Sequence, residues 1–489
     1  MPTPEATRSR AASIRARLGH PIVDVDGHIV ESVPALVDLL RRVAGSEVAD
    51  RFGGASRAFA SRSESPGARV AREGMKPVQG QPIEPWWALP TDALDRATGF
   101  LPRLLCERLD ELGIDFSILY SSVGLAFIAS PDDALRQGGC RAVNLYLAEQ
   151  LSGLGDRLTA AALIPTHTPE EAIAELEYAV ETLDFRAAVF NSFVERPSSP
   201  GSSRSHWIDN LAIDSLYDYD PLWQRCVDLG VAVTVHGSSQ GIGLRQSSSC
   251  YMYNHIGNFA ASSEAFAKAV FFGGVLKRFP TLQFGFLECG VGWGVQLLAD
   301  LIDRYSKRGG RNIEALDPEG IDAQRWHALM LEYGGDLFAD PDLRGATLAQ
   351  SDNPPLERDD FREAGVESAD DIAACFERFF FGCEADDSSI PLAFARNTNP
   401  AGAALRPVIG TDLGHWDVSD MLEMIPEAAE LVDEGRVSPE DFRRFVCENP
   451  IRLHGAMNPD FFGGTRVEAQ AKEILASDAT PAETATQRD

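Results

Sequence analysis

The sequence predicts an α/β protein, a (β/α)8 TIM-type barrel with long insertions and a C-terminal helical segment. Short apolar runs alternate with helical patterns along most of the 489 residues. Most of these runs are continuously apolar, as is typical of parallel strands buried on both faces. Several end in a single Asp, Glu or His, at the strand ends where such barrels carry their active sites. A doubly wound open sheet is the structural alternative.

Eight segments have the length and composition of strands, and most are followed by a helical pattern. The predicted strands lie at 21–26, 114–120, 158–164, 186–191, 231–236, 282–288, 378–383 and 406–412. Helical periodicity occurs at 134–153, 169–183, 218–229, 260–278, 293–307 and 419–435. Alternation of this kind predicts a parallel sheet with helices packed around it.

The barrel is expected to span residues 21–463, after an N-terminal lead-in at 1–20. Polar stretches at about 45–100, 192–217 and 309–366 are too long for ordinary barrel connections, and they predict insertions that act as lids or binding loops. Residues 464–489 are polar and rich in Ala and Thr, which predicts a disordered tail.

Composition limits the classes of partner. A net charge of −29 argues against nucleic acid and anionic membranes, because both require a basic surface. The eight cysteines are scattered without a Cys-x-x-Cys pair, which indicates reduced thiols in a cytoplasmic protein. No segment approaches the length of a membrane helix. We therefore expect a small-molecule substrate, and the composition is compatible with a homodimer.

Metal-ligating residue types stand at or just beyond the ends of four predicted strands. Asp26 and His28 lie two residues apart after the first strand, so an extended chain points both to the same side. His236, Glu288 and Asp412 end three later strands. Carboxylates and imidazoles at one barrel rim are suitable ligands for a divalent metal. Taken singly, each residue also has a structural interpretation, such as a turn, a core histidine or a helix cap.

Together these motifs resemble the amidohydrolase superfamily, in the branch related to aminocarboxymuconate-semialdehyde decarboxylase. Asp-x-His follows strand one, Val-His follows strand five and Gly-Thr-Asp follows strand eight. The most specific piece is the run Phe272–Pro280 followed by Phe286–Trp293. The segments Pro407–Asp420 and Glu448–Gly455 support the resemblance, which extends from about residue 20 to 460.

The resemblance implies one divalent ion, with zinc ranked ahead of manganese. Its ligands would be Asp26, His28, His236 and Asp412, and Glu288 is a further ligand or a proton carrier. Glu288 occupies the position where the related decarboxylases have a catalytic histidine. The resemblance therefore supports the metal site more strongly than it supports the decarboxylase reaction. Asp412 could also serve as a base.

Two reactions suit such a centre. A metal-dependent hydrolase would cleave a C–C, amide or ester bond at a carbonyl or carboxylate centre of a small, ring-derived substrate. A non-oxidative carboxy-lyase would release carbon dioxide instead. Glu288 in place of histidine favours hydrolysis, with Glu288 moving the proton. His255 is a further candidate for proton transfer, with a buried structural role as its alternative.

Three residues near the motifs are expected to form the substrate pocket: His415, Trp293 and Trp416. Ser239 lies in Gly-x-Ser-x-Gly after a strand, the pattern of a serine esterase, but the residues that follow are poor helix formers. A non-catalytic barrel is the other alternative, and it would not need a ligand-type residue at every expected strand end.

Overall fold

The computed structural model describes residues 8–52, 83, 90–198, 206–342, 358–415 and 417–478. Its centre is one eight-stranded parallel sheet in the order β1-β2-β3-β4-β7-β8-β9-β10. The eight strands fall within or overlap the eight segments predicted from the sequence, so the predicted (β/α)8 barrel is confirmed. The strands of this sheet are β1 Val23–Ile29, β2 Phe116–Ser121, β3 Leu158–Leu163, β4 Ala187–Phe190, β7 Val233–Val235, β8 Phe284–Phe286, β9 Phe379–Cys383 and β10 Arg406–Ile409.

The first and last strands meet beyond the end of β10. The Asp412 N–H donates to the Asp26 carbonyl at 2.9 Å, and the His28 N–H donates to the Leu413 carbonyl at 3.0 Å. These hydrogen bonds bring the chain after β10 beside β1 and close the ring on that side. The residues predicted as ligands after β1 and β10 therefore become neighbours in space.

Helices surround the sheet, and the turns between helix and strand have a clear local cause. Gly113 and Gly230 follow the helices Pro102–Leu112 and Asp220–Leu229 with φ of 78° and 67°. A left-handed residue ends a helix at little cost only when it is glycine. The chain then enters β2 and β7 within a few residues. Glycine thus sets the point at which these two strands begin.

The α-helices alternate with the strands, and most of them pack around the outside of the barrel. They are Arg10–Arg17, Val33–Ala44, Ala93–Phe100, Pro102–Leu112, Leu125–Ile128, Asp133–Gln150, Pro169–Glu177, Asp220–Leu229, Tyr251–His255, Asn258–Phe272, Val275–Arg278, Gly292–Arg308, Ala323–Gly334, Ala369–Phe376, Ile390–Ala393, Met424–Asp433, Pro439–Arg443, Asn449–Gly455 and Glu468–Asp478. Short π-helices at Tyr178–Thr182 and Arg444–Glu448 extend two of them, and 3-10 turns lie at Gly310–Leu316, Pro318–Gly320, Gly335–Phe338 and Pro400–Gly402. Among the described residues, no helix has the length and apolarity required to cross a bilayer.

The expected insertions contain structure of their own. The segment 192–217 holds an antiparallel hairpin, β5 Val194–Pro197 with β6 His206–Asp209. The segment 309–366 holds the helix Ala323–Gly334. Much of the segment 45–100 lies outside the described residues.

The expectation of disorder from residue 464 onward is wrong for residues 468–478. Glu468–Asp478 is a helix whose Ala471 and Ile474 side chains are buried. Its last residue, Asp478, accepts hydrogen bonds from Arg452 at 2.7 and 3.2 Å. The polar composition concealed these two apolar positions one helical turn apart, which are enough to dock a short helix.

Candidate metal centre

Five side chains from four barrel strands or their ends converge at one rim. Asp26 and His28 lie in β1, and His236, Glu288 and Asp412 come just after β7, β8 and β10. The side chains of four of these residues are no more than 3% exposed, and that of Glu288 is 6% exposed. The structure therefore brings together the whole ligand set predicted from the sequence.

The distances between facing atoms are short. His28 Nε2 lies 3.2 Å from Asp412 Oδ1 and 3.6 Å from Asp26 Oδ1. His236 Nε2 lies 3.0 Å from Glu288 Oε2 and 3.8 Å from Asp26 Oδ1. Ligands bound at about 2.1 Å to one ion stand roughly 3 to 4 Å apart, so these separations fit a common divalent cation.

The same atoms are not hydrogen-bonded. Among the described residues, no hydrogen-bond partner meets Asp26 Oδ1, His28 Nε2, His236 Nε2, Glu288 Oε2 or either side-chain oxygen of Asp412, although all are buried. Buried polar atoms are nearly always paired. Here the atoms are close but aim past one another, which is the geometry of ligands around a shared centre. The residues present therefore fit a divalent metal ion.

Electrostatics leads to the same conclusion. Burial raises the pKa of Asp26, Glu288 and Asp412 well above the usual range of a carboxyl group. Burial also lowers the pKa of His28 well below that of an ordinary histidine. No described Lys or Arg pairs with any of these three buried carboxyl groups at this rim. A divalent cation would supply positive charge there and favour the deprotonated carboxylates.

Two of the candidate ligands have strained backbones. Glu288 has φ of 51° and Asp412 has φ of 47°, a left-handed conformation that non-glycine residues adopt at a cost. Such strain persists where the surrounding structure imposes it, and it clusters at functional sites. In both residues the left-handed turn comes just after a strand and sends the side chain toward the rim.

Asp24, which the sequence reasoning overlooked, supports the rim from below. Its carboxylate accepts hydrogen bonds from the Ser117 and Thr411 hydroxyls at 2.5 and 3.0 Å, and from the Thr411 N–H at 2.9 Å. These bonds tie β1 to β2 and to the segment carrying Asp412. The signal was present in the sequence, since Asp24 is a charged residue two positions before Asp26 in the same strand.

His415 lies against the centre. Its ring stacks on His28 with centroids 3.7 Å apart, and its Nδ1 is 2.6 Å from Asp412 Oδ1. Its Nε2 is 2.9 Å from the Ser122 hydroxyl. Burial lowers the pKa of His415 to about 4, so the ring is neutral near pH 7. His415 is thus placed to orient Asp412 and to line the cavity above it.

A cavity of about 570 Å³ opens above the centre. Its floor contains His236, Glu288 and His415. Its walls are mostly apolar and include Phe190 and Phe259. An apolar cavity with a few convergent polar groups is the usual form of a small-molecule site.

The remaining predicted site residues occupy different positions. His255 lines this cavity. Its Nδ1 lies 3.4 Å from the Tyr251 hydroxyl and 3.4 Å from Gln240 Nε2. Trp293 packs against Phe286 and lines a neighbouring cavity rather than this one. Trp416 lies outside the described residues.

The geometry at Ser239 does not match a serine nucleophile. Its hydroxyl donates to the Asn258 carbonyl at 2.7 Å, and the residue is 8% exposed. The next helix begins only at Tyr251, so the strand–turn–helix context of an esterase elbow is missing. The Gly-x-Ser-x-Gly match is therefore incidental to the fold.

Asp417 was also overlooked. One of its oxygens lies within 4.8 Å of donor atoms of Glu288 and His255, and its Oδ1 is buried without a hydrogen-bond partner among the described residues. It follows Asp412 by five residues, on the same segment after β10. Asp417 thus lies at the same rim as the candidate ligands.

The chain is similar to known proteins in both sequence and fold. An amidohydrolase family model matches residues 112–309. The structure of 2,6-dihydroxybenzoate decarboxylase from Rhizobium aligns with a TM-score of 0.50 and 16% identity, over 89% of this chain and 98% of that chain. An amidohydrolase from Mycobacterium avium subsp. paratuberculosis K-10 aligns with a TM-score of 0.50 and 14% identity, over 90% and 100%. The match agrees with the resemblance found in the motifs, and residues 112–309 are similar to the amidohydrolase family.

Proposed function

We propose that this enzyme is a metal-dependent hydrolase that acts at a carbonyl centre of a small, partly apolar substrate. Asp26, His28, His236 and Asp412 would hold one divalent cation, with Glu288 at the side that faces the cavity. The bound cation would polarise the carbonyl oxygen and lower the pKa of water. Two imidazoles and several carboxylates without sulfur suit both zinc and manganese.

Glu288 is the residue placed to move protons. It lines the cavity, and its Oε2 lies 3.0 Å from His236 Nε2 at the edge of the ligand set. A carboxylate in this position can accept a proton from the attacking water and return it to the leaving group. Burial raises its pKa well above the ordinary value, which makes it a stronger base than an exposed glutamate.

One observation favours hydrolysis over decarboxylation. Neither Lys nor Arg occurs among the described residues that line the cavity above the centre or the cavity beside it, whereas carboxylates line the second cavity. Apart from the proposed metal ion, a substrate carboxylate would therefore find no cationic partner along these linings. A neutral ester or amide meets no such penalty.

A carboxy-lyase is the second candidate, because 2,6-dihydroxybenzoate decarboxylase from Rhizobium has the same barrel. One experiment distinguishes the hydrolase function from the carboxy-lyase function. Protein stripped with a chelator and reconstituted with zinc or manganese is assayed against neutral aryl esters and amides and, in parallel, against hydroxylated benzoates. We expect metal-dependent hydrolysis of the neutral compounds. Release of carbon dioxide from the benzoates without hydrolysis would establish the lyase.

Two further properties stay predictions from the sequence, a cytoplasmic location and a homodimer. The acidic composition and the scattered cysteines support the first. Sedimentation of the purified protein tests the second.

A further inference from the structure

A line of three polar side chains leads from the metal centre into the apolar cavity above it. His415 Nδ1 lies 2.6 Å from Asp412 Oδ1, and His415 Nε2 lies 2.9 Å from the Ser122 hydroxyl. Ser122 comes directly after β2, and it lines the cavity together with His415. Asp412 faces the candidate metal position, so Ser122 is the end of this line that a substrate can reach.

The candidate ligand Asp412 determines which atoms of the line carry hydrogen. A carboxylate that binds a cation only accepts hydrogen bonds. At 2.6 Å an unprotonated Nδ1 would place its lone pair against Asp412 Oδ1, so the neutral ring of His415 carries its one proton on Nδ1. A divalent cation nearby disfavours a second proton on this ring. Nε2 is then an acceptor, and the hydrogen of the Ser122 hydroxyl is donated to it.

Ser122 therefore presents an acceptor to the cavity. A hydroxyl group has one hydrogen and two lone pairs, so only the lone pairs remain for a ligand once the hydrogen is donated to His415. The wall around Ser122 is largely apolar and includes Val123, Leu125 and Phe193. An N–H or O–H group buried against such a wall needs an acceptor, whereas a ligand oxygen in the same place would meet a lone pair.

The loop that carries Ser122 is fixed by hydrogen bonds to the chain at and after β1. The Ser122 N–H donates to the Ile29 carbonyl at 3.0 Å. The Val123 N–H donates to Oε2 of the buried Glu31 at 2.9 Å. An acceptor held in place before binding needs little ordering when a ligand arrives. The direction of the Ser122 lone pairs is thus set by the protein.

A second serine in the cavity lining has the same arrangement. The Ser238 hydroxyl donates to Asn258 Oδ1 at 2.6 Å, and Asn258 Nδ2 donates to the His255 carbonyl at 2.8 Å, which fixes the orientation of that amide. Both serine hydroxyls of the lining therefore direct their hydrogen toward the protein. Ser122 is the one of the two that is joined to a candidate metal ligand.

We propose that Ser122 is a specificity-determining residue that accepts a hydrogen bond from an N–H or O–H group on the apolar part of the substrate. His415 is the positioning residue that holds the Ser122 hydroxyl in this orientation. The inference rests on the proposed function, because Asp412 acts as an ionised carboxylate when it is a metal ligand. It narrows the substrate class to neutral esters or amides whose apolar part carries a hydrogen-bond donor.

Acetophenones with an amino, a methyl or a cyano group on the ring test the proposal. Their ketone has no leaving group, and the three substituents are a donor, neither, and an acceptor. Binding of the meta and para series to the zinc-loaded protein is measured by calorimetry. In at least one series we expect the amino compound to bind about threefold or more tighter than the methyl compound, and the cyano compound to bind most weakly.

Substitution of Ser122 should remove this preference. We expect Ser122→Ala to lower the ratio of amino to methyl affinity about fivefold or more, because the buried N–H of the ligand loses its acceptor. Ser152→Ala, which changes an exposed serine after the helix Asp133–Gln150, is the matched control and should leave the ratio unchanged.

The role of His415 is tested by His415→Phe, which keeps an aromatic ring beside His28 and removes the acceptor of the Ser122 hydrogen. The hydroxyl can then turn and donate to a ligand. We expect the preference for the amino compound to decrease and the cyano compound to bind more tightly than it does to the parent protein, with bound zinc unchanged by elemental analysis. An unaltered order of the three probes would show that His415 does not orient Ser122.

The remaining outcomes separate this inference from the proposed function. The same preference in Ser122→Ala as in the parent protein, with metal-dependent hydrolysis intact, would overturn the role of Ser122 alone. Tightest binding of the cyano compound to the parent protein would overturn it too, because Ser122 would then be the donor. A preference that depends on Ser122, without metal-dependent hydrolysis of any neutral ester or amide, would overturn the proposed function and leave Ser122 as a ligand-binding residue.

Discussion

At the candidate metal centre, the protein leaves the hydrogen-bonding capacity of several buried atoms unused. The Nε2 atoms of His28 and His236 and an oxygen of Asp412 face the same small space without a partner among the described residues. No single side chain explains this arrangement, because each would be stabilised by turning toward a backbone donor or acceptor. One divalent cation would satisfy all of them at once.

Removing one imidazole should therefore empty the site. We expect His236→Ala to lose nearly all bound metal, since the remaining ligands include three carboxylates that repel one another when no cation is present. Metal content of the purified variant, measured by elemental analysis, is the readout. His206→Ala, an exposed histidine in the β5–β6 hairpin, is the matched control. Full occupancy in His236→Ala would disprove the assignment of this ligand.

The role of Glu288, as a metal ligand or as a proton carrier, can be tested by one substitution. Glu288→Gln keeps the shape of the side chain and removes its ability to accept a proton. We expect turnover to fall by about 10²-fold, the usual scale for losing a general base. Bound metal should be retained if proton transfer is its main role, and should decrease if Glu288 is chiefly a ligand. Unchanged turnover with full metal would mean that Glu288 is structural.

At the scale of elements, the centre depends on the junction between β1 and the segment after β10. Asp24 joins the two through Thr411, and the pairing of β1 with β2 shifts register between Asp24 and Gly27. Gly27 lies between the candidate ligands Asp26 and His28, so this irregularity sets the direction of both side chains. The position tolerates no side chain, because a Cβ would lie 2.7 Å from Asp24 Oδ2 and 2.7 Å from Ser117 Oγ.

Gly27→Ala should consequently damage both the fold and the site. We expect a loss of unfolding free energy of about 1–3 kcal/mol, the usual cost of overpacking a buried position. Metal affinity should decrease with it, because Asp26 and His28 would move apart. Denaturant unfolding and metal titration measure the two effects. Gly19→Ala is the control, since no atom lies within 4 Å of its Cβ position. Equal stability of the two variants would contradict this account.

At the scale of the whole molecule, buried carboxyl groups make stability depend on pH. Burial raises the pKa of Glu31 to about 7 and that of Glu384 to about 8. In the unfolded chain both groups titrate near about 4.3. The folded state therefore holds protons that the unfolded state has already released, and stability falls as pH rises toward the folded pKa. Buried histidines act in the opposite direction, but only below about pH 6.5.

Between about pH 6.5 and about pH 8, the change in stability with pH comes from the buried carboxyl groups rather than from the histidines. We expect the Tm of the protein to fall across this window, and Glu31→Gln to show a shallower fall. The glutamine side chain would stay neutral and could still accept the hydrogen bond that Glu31 receives from the Val123 N–H at 2.9 Å. Glu332→Gln is the control with an exposed carboxylate. A Tm profile identical to that of the parent protein would show that Glu31 is not responsible.

Much of the molecule follows from local properties of the sequence. Apolar runs, most of them continuous, predicted the eight barrel strands, because a strand buried on both faces has few polar positions to alternate with. The strand-end positions of Asp26, His28, His236, Glu288 and Asp412 predicted a common rim, because parallel strands of one barrel end at the same face.

The tertiary structure decided what no local pattern encodes. Asp417 comes within 4.8 Å of Glu288 although the two are far apart in the sequence, and Trp293 lines the cavity beside the centre rather than the one above it. The helix at 468–478 buries two apolar side chains and packs against the helix Asn449–Gly455, although its composition resembles that of a disordered tail. Whether a carboxylate is paired, strained or facing a cavity depends on atoms distant in the sequence. The sequence by itself therefore determined the barrel and its rim residues, and only packing decided which charges were left unbalanced.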